Sequence, residues 1–180
     1  MIVTPTELPE ILLLEPRVFG DDRGFFFESY NRRAFAQAAG IDPDFVQDNH
    51  SRSAANVLRG LHYQLRQAQG KLVRVTAGAI LDVAVDLRRS SPRFGRWTAR
   101  TLSAENKHML WIPAGFGHGF LALDESEVLY KATDFYAPEH ERCVLWNDPA
   151  LGIAWPLKGA PLVSAKDAQG KRLGDAEVFD

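Results

Sequence analysis

His62 is the side chain of this sequence best suited to moving protons near neutral pH, because imidazole titrates in that range. It lies in Arg59-Gly60-Leu61-His62-Tyr63-Gln64, one of five dense polar clusters; the others are Gly20-Asp21-Asp22-Arg23-Gly24, Gln47-Asp48-Asn49-His50, Pro113-Ala114-Gly115-Phe116-Gly117-His118 and Ser164-Ala165-Lys166-Asp167. Arg59 and His62 are three apart and point to opposite faces of a regular strand. A bulge at Gly60 brings them to the same side. A carboxylate such as Asp167 can hold the imidazole in one tautomer and stabilise its protonated form. The phenol of Tyr130 can donate a proton. Arg23, Arg59 and Lys71 can neutralise a diphosphate, guanidinium in pairs of hydrogen bonds and ammonium as a point charge. Tyr136 can stack on a base or cover a rim.

Each of these residues also has an ordinary reading. Taken singly, His62 is a structural or surface imidazole, the three cations are solvated, and Tyr130 is a core aromatic with a bonded hydroxyl. His118 closes a Pro-x-Gly-x-x-His pattern that resembles the second motif of metal-binding cupins. Those proteins add an earlier His-x-His and a glutamate, but His62-Tyr63-Gln64 puts glutamine where the second imidazole belongs. A first-row metal needs three or four protein ligands. The expectation is therefore no metal, with His118 a polar residue lining the interior.

The elements that position these groups read as strands. Short apolar runs broken by Gly, Pro, Asp and Asn predict about ten strands: 11–19, 25–30, 57–64, 71–77, 80–87, 97–102, 109–112, 120–123, 128–133 and 143–146. In Ile80–Leu87, Leu81, Val83, Val85 and Leu87 share one face while Asp82 and Asp86 lie on the other, which predicts a half-buried strand. A helix is expected over Arg32–Ala39, capped by Asn31 and ended by Gly40, with a second within Ser164–Gly174. Many short strands without helical repeats predict an all-β, double-sheet jelly roll with a few short peripheral helices. Residues 1–180 suit one domain, with Pro149, Pro156 and Pro161 marking an irregular section that wraps the body.

Composition narrows the function classes. The 21 basic and 23 acidic residues nearly cancel, so no global charge draws the chain to nucleic acid or to acidic membranes. Cys143 is the only cysteine, which excludes an intramolecular disulfide and a site built from several thiolates. A reducing cytoplasm is the expected location. Met1–Leu14 carries Glu7, Pro9 and Glu10 and lacks a basic start, unlike a secretory signal. No apolar stretch reaches the length of a membrane span.

Longer blocks carry a specific resemblance. Val18 to Phe26, Phe45 to Ser51, Val57 to Gln64, Leu110 to Phe120, Leu129 to Thr133 and Ser164 to Asp167, in that order, resemble the dTDP-4-dehydrorhamnose 3,5-epimerases across nearly the whole chain. The resemblance implies a homodimeric, double-stranded β-helix (cupin) enzyme without metal or organic cofactor. Its substrate is a dTDP-4-keto-6-deoxy sugar on the route to dTDP-L-rhamnose, a precursor of surface glycans such as O-antigen. It implies that His62 accepts the proton, Asp167 orients it, Tyr130 donates a proton and Lys71 steadies the charge on the ketone oxygen. Arg23, Glu28, Gln47, Asp48, Asn49, Arg59, Lys71, His118, Glu141 and Lys166 are the implied substrate contacts, with Tyr136 at the rim. The loop Leu65 to Gly70 and the segment between His118 and Tyr130 are each about one residue shorter than the family pattern, in expected turns.

The ketone at carbon 4 acidifies the hydrogens on both neighbouring carbons, so one base and one oxyanion stabiliser can serve carbons 3 and 5. Competing readings are a single-carbon epimerase or ketoisomerase of the same fold, a metal-dependent cupin oxygenase, and a non-catalytic sugar-binding cupin.

Overall fold

The computed structural model describes residues 1–180. The elements in chain order are β1 (Ile2–Pro5), β2 (Leu12–Glu15), β3 (Phe19–Asp21), β4 (Gly24–Phe26), α1 (Arg32–Ala39), β5 (Gln47–Ser53), β6 (Leu58–Gln64), β7 (Lys71–Ala77), β8 (Ala79–Asp86), β9 (Trp97–Ser103), β10 (Met109–Ile112), β11 (Phe116–Ala122), β12 (Ser126–Ala132), β13 (Glu141–Cys143) and α2 (Ala165–Ala168). A six-stranded sheet runs β1-β2-β10-β7-β12-β5 and a five-stranded sheet runs β13-β6-β11-β8-β9, all pairs antiparallel. The β3–β4 hairpin stands apart from both sheets. This is the expected all-β jelly roll with short peripheral helices. No helix is long and apolar enough to cross a membrane.

Alternation along the strands decides what lies between the sheets. Val73 and Val75 of β7, Val128 of β12, Ile80 and Ala84 of β8, and Phe116 and Phe120 of β11 form the central core, with Tyr130 packed against it. The outer face of the five-stranded sheet carries a second core, in which Leu61, Tyr63, Val83, Val85 and Leu87 meet Leu151, Leu173 and Ala176 of the C-terminal section. On the outside of the six-stranded sheet, Leu14, Leu72, Met109 and Trp111 pack with Phe35 of α1. Each Val, Leu, Ile, Phe or Met among them contributes roughly 1.5–3 kcal/mol when fully buried.

Helix α1 has its expected bounds because its ends are satisfied as expected. The Asn31 side chain accepts from the Ala34 amide, and Gly40, at φ 71°, donates its amide to Ala36. The second expected helix is only the four residues of α2, followed by a 3-10 turn at Leu173–Asp175.

The strand expectations need five corrections. β8 is buried on both faces, not one, because the C-terminal section covers its outer side and the inward carboxylates are bonded: Asp82 to His118, Asp86 to Arg88 and Ser91. The run 11–19 breaks after Glu15, where Pro16 lacks a ladder hydrogen, and the run 25–30 pairs only as far as Phe26. The run 143–146 pairs with β6 earlier, as β13. β5 escapes a hydrophobicity reading altogether, because its seven residues, QDNHSRS, are all polar.

Candidate active site

The site begins with a hydrogen bond between β6 and α2. His62 Nε2 lies 2.5 Å from Asp167 Oδ1. An ionised carboxylate only accepts, so Nε2 carries the hydrogen and the lone pair is on Nδ1. Asp167 is fixed in turn by the Ser164 hydroxyl, which donates to Oδ2 at 2.8 Å and accepts the Asp167 amide at 3.1 Å as the cap of α2. Burial works to raise the Asp167 carboxyl, but the hydrogen bonds from His62, Ser164 and the Gly60 amide outweigh it and hold it below the usual carboxylate range.

The bulge expected at Gly60 is present. His62 stands opposite His118 and Arg59 opposite Phe120, so three steps of β6 match two of β11. Arg59 and His62 therefore share the inward side. Gly60 has φ 108°, and a Cβ there would sit 2.6 Å from both the Gly119 Cα and the His118 carbonyl oxygen. Only glycine fits this crossing. Arg59 reaches β5, donating to Ser53 Oγ at 3.0 Å and to the Arg52 carbonyl at 3.1 Å.

The facing sheet supplies Lys71 and Tyr130, which point inward by the same alternation as Val73 and Val128. The Lys71 ammonium lies 5.8 Å from the centre of the Tyr130 ring. Lys71 is not the solvated cation of its ordinary reading. Burial lowers its pKa to about 8, against the opposing pull of Asp82 and Glu141. Burial, then the charge of Glu141, raises the Tyr130 phenol, which keeps it protonated at neutral pH. Glu141 is itself held below the ordinary value: burial raises it, but hydrogen bonds from Lys166 and Tyr136 and the nearby His62 prevail. Its carboxylate thus bears on Lys71, Tyr130 and His62 together. Exposed Lys166 pairs with Glu141, and exposed Tyr136 donates to it at 2.7 Å, which puts both at the surface end of the cluster.

A second histidine–carboxylate pair lies deeper. His118 Nε2 is 2.7 Å from Asp82 Oδ1, with Asp82 fully buried. Asp82 Oδ2 and Asn49 Nδ2 are buried without a partner, so the interior holds a free acceptor and a free donor. Asn49 accepts from Gln47, which accepts the Tyr136 amide. The Gln64 amide is consumed by the backbone of Gln67, Phe135 and Ala137, so it ligates nothing.

Three expected contacts have their partners elsewhere. Arg23, on the exposed β3–β4 turn, pairs with Asp21 at 2.5 Å. Exposed Glu28 accepts from Asn31 at 3.0 Å. Asp48 lies on the outer side of β5, since alternation turns Gln47 and Asn49 inward, and bonds Lys131 at 3.0 Å. The reading of the residues missed the contacts of Asp82 and Ser164 and the placement of Cys143. Asp82 was legible as a charge on the same strand face as Ile80 and Ala84; Cys143 faces His62 only through the β13–β6 register.

Comparison with known proteins decides the family. The family model described as dTDP-4-dehydrorhamnose 3,5-epimerase matches residues 5–175. The chain belongs to the dTDP-4-dehydrorhamnose 3,5-epimerase family. Among curated members, the dTDP-4-dehydrorhamnose 3,5-epimerase of Pseudomonas aeruginosa is 67% identical over 180 residues, covering 99% of each chain. That of Salmonella typhimurium is 57% identical over 178 residues, covering 98% of this chain and 97% of the relative. The Legionella pneumophila dTDP-6-deoxy-D-glucose-3,5-epimerase, solved with dTDP-4-keto-L-rhamnose, superposes with a TM-score of 0.95 at 48% identity, covering 97% of this chain and 94% of that one. A 3'-monoepimerase from Streptomyces bikiniensis, solved with dTDP-quinovose, gives 0.89 at 37% identity, covering 97% and 88%. As a member of this epimerase family with the cupin-type jelly roll, the chain is an isomerase.

Proposed function

We propose that this epimerase converts dTDP-4-dehydro-6-deoxy-D-glucose into dTDP-4-dehydro-L-rhamnose by removing and returning protons at carbons 3 and 5, with His62 as base and Tyr130 as donor. The observation that carries the reading is the opposition of these two groups. The imidazole, oriented by Asp167 at 2.5 Å, belongs to one sheet, and the phenol belongs to the inner face of the other. His62 Nδ1 takes the proton beside the ketone. The resulting enolate charge is stabilised by the Lys71 ammonium, whose burial strengthens its field. Tyr130 returns a proton from the opposite side, and a donor on the other face turns exchange into inversion.

Arg59, Gln47, Asn49, His118, Tyr136, Glu141 and Lys166 hold the nucleotide sugar in this reading. A homodimer accounts for the remaining contacts. The β3–β4 hairpin exposes Phe19, Phe25 and Phe26 by 50%, 63% and 68%, and it carries Arg23 on its turn, free to meet a second copy. The lone thiol supports placement in the reducing cytoplasm.

The family also contains an enzyme that inverts one carbon, which keeps single epimerisation as the second reading. The higher identity to the 3,5-epimerase of P. aeruginosa favours the double reaction. Incubation with dTDP-4-keto-6-deoxyglucose in heavy water separates the two. Deuterium at carbons 3 and 5 with inverted product is expected; label and inversion at one carbon select the monoepimerase, and an unlabelled sugar overturns both.

A further inference from the structure

We infer that Cys143, His62 and Asp167 form a binding site for a borderline-soft divalent cation such as Zn²⁺, and that filling it switches the epimerase off. Three parts of the fold meet there. Cys143 of β13 stands directly opposite His62 of β6 in the antiparallel register, an arrangement that sets Cβ atoms about 4.5–5.5 Å apart. Asp167 comes from α2 and already touches the imidazole. One sulfur, one ring nitrogen and one carboxylate oxygen lie within 4.8 Å of one another. In a tetrahedral zinc sphere with bonds of about 2.0–2.3 Å, ligand atoms stand roughly 3.3–3.8 Å apart. The difference is about 1–1.5 Å, the scale of a side-chain rotation rather than of a strand movement.

The donor set is selective. Thiolate and imidazole favour zinc or cadmium over magnesium and calcium, and three protein ligands leave a fourth position for water. Burial, then the carboxylate of Asp167, pushes the Cys143 thiol up to about 12, so the free site holds S–H. The same negative charges that oppose a thiolate anion, those of Asp167 and Glu141, favour a dication. On binding, the S–H bond breaks, a sulfur–metal bond forms and the proton passes to the buffer, with no change of oxidation state. The cation takes the place of the hydrogen between Nε2 and Oδ1, and that hydrogen moves to Nδ1. The lone pair needed for proton abstraction is then gone. The binding stands on geometry alone; the loss of turnover rests on His62 being the base.

The test uses full-length enzyme stripped with a chelator and then titrated with Co²⁺ in the absence of substrate. One equivalent should develop a thiolate-to-cobalt absorption band, which Zn²⁺ abolishes by competition. Cys143→Ser, with Cys143→Ala as a second variant, should turn over normally in metal-free buffer and lose the band. The Zn²⁺ concentration for half-inhibition should rise at least about ten-fold, the lower bound seen when even an outer-shell partner is removed. A wild-type enzyme without the band overturns the site. A band without inhibition, or equal inhibition of the variants, overturns the switch. Failure of the epimerase reading would appear differently, as absent turnover in the metal-free wild type.

Discussion

Asp167 and His62 are 105 residues apart in the chain, yet their side chains meet at 2.5 Å. The contact joins a four-residue helix to a strand of the five-stranded sheet, and it leaves Nδ1 as the basic nitrogen. The proposed base at that position must be neutral and oriented, and the Asp167 carboxylate supplies the orientation.

Replacing the base tests this directly. His62→Asn should lower kcat about 10²- to 10⁴-fold while dTDP still binds, as measured by product formation and by calorimetry. Asp167→Asn should also lower kcat, because an amide can present its N–H toward Nε2 and select the wrong tautomer. Near wild-type turnover in His62→Asn would remove histidine from the mechanism.

Tyr130→Phe separates exchange from inversion. Solvent deuterium should still enter the sugar through His62, but stereochemistry should be retained at one or both carbons, as read by NMR. Fully inverted product from this variant would exclude the phenol as the donor.

Lys71 sets an alkaline limit. Burial lowers its pKa to about 8, so the ammonium proposed to stabilise the enolate is present below that pH and is lost as pH rises through it. The kcat profile should fall on its alkaline side near pH 8, and Lys71→Gln should lower kcat below that pH and abolish that limb. A flat profile between pH 7 and about 9.5, beyond the lysine transition, would separate Lys71 from the chemical step.

The buried Asp82 and His118 pair should matter to stability. Asp82→Leu leaves His118 Nε2 without its partner at 2.7 Å, a loss of about 1–3 kcal/mol in denaturant unfolding. Asp48→Asn, on the solvent side of β5, should leave the midpoint nearly unchanged. Equal shifts in the two variants would contradict the burial assigned to Asp82.

Gly60→Ala examines the bulge. The added methyl would meet backbone at 2.6 Å, and φ 108° strains any side chain. The expected cost is roughly 1–3 kcal/mol for the backbone and a similar amount for overpacking. Turnover should fall with it, because Arg59 and His62 lose their common face. A variant as stable and active as the wild type would contradict the close crossing of β6 and β11.

The sequence alone determined what is local or repeats along a strand. Helix α1 was legible from Asn31 and Gly40, the bulge from Gly60 inside a strand-like run, and the jelly roll from many short apolar runs without helical periods. The blocks around Arg59 to Gln64 and Leu110 to Phe120 were long enough to carry the family. Local pattern failed where polar side chains are turned inward. β5 is all polar, with Gln47 and Asn49 turned inward and Asp48 on the outer side, so it has no apolar rhythm to read. Asp82 and Asp86 look like a solvent face, yet partners from other elements let them be buried.

Only the tertiary structure decided which charges meet. It alone put Cys143 across from His62, sank Lys71 far enough to lower its pKa, and left Arg23 on an exposed hairpin. The physical reason is that side-chain direction along a strand is set by its neighbours in sequence, whereas electrostatic environment is set by elements a hundred residues away. Desolvation and hydrogen bonding depend on that second set, and they fix the orientation of the His62 imidazole against Asp167.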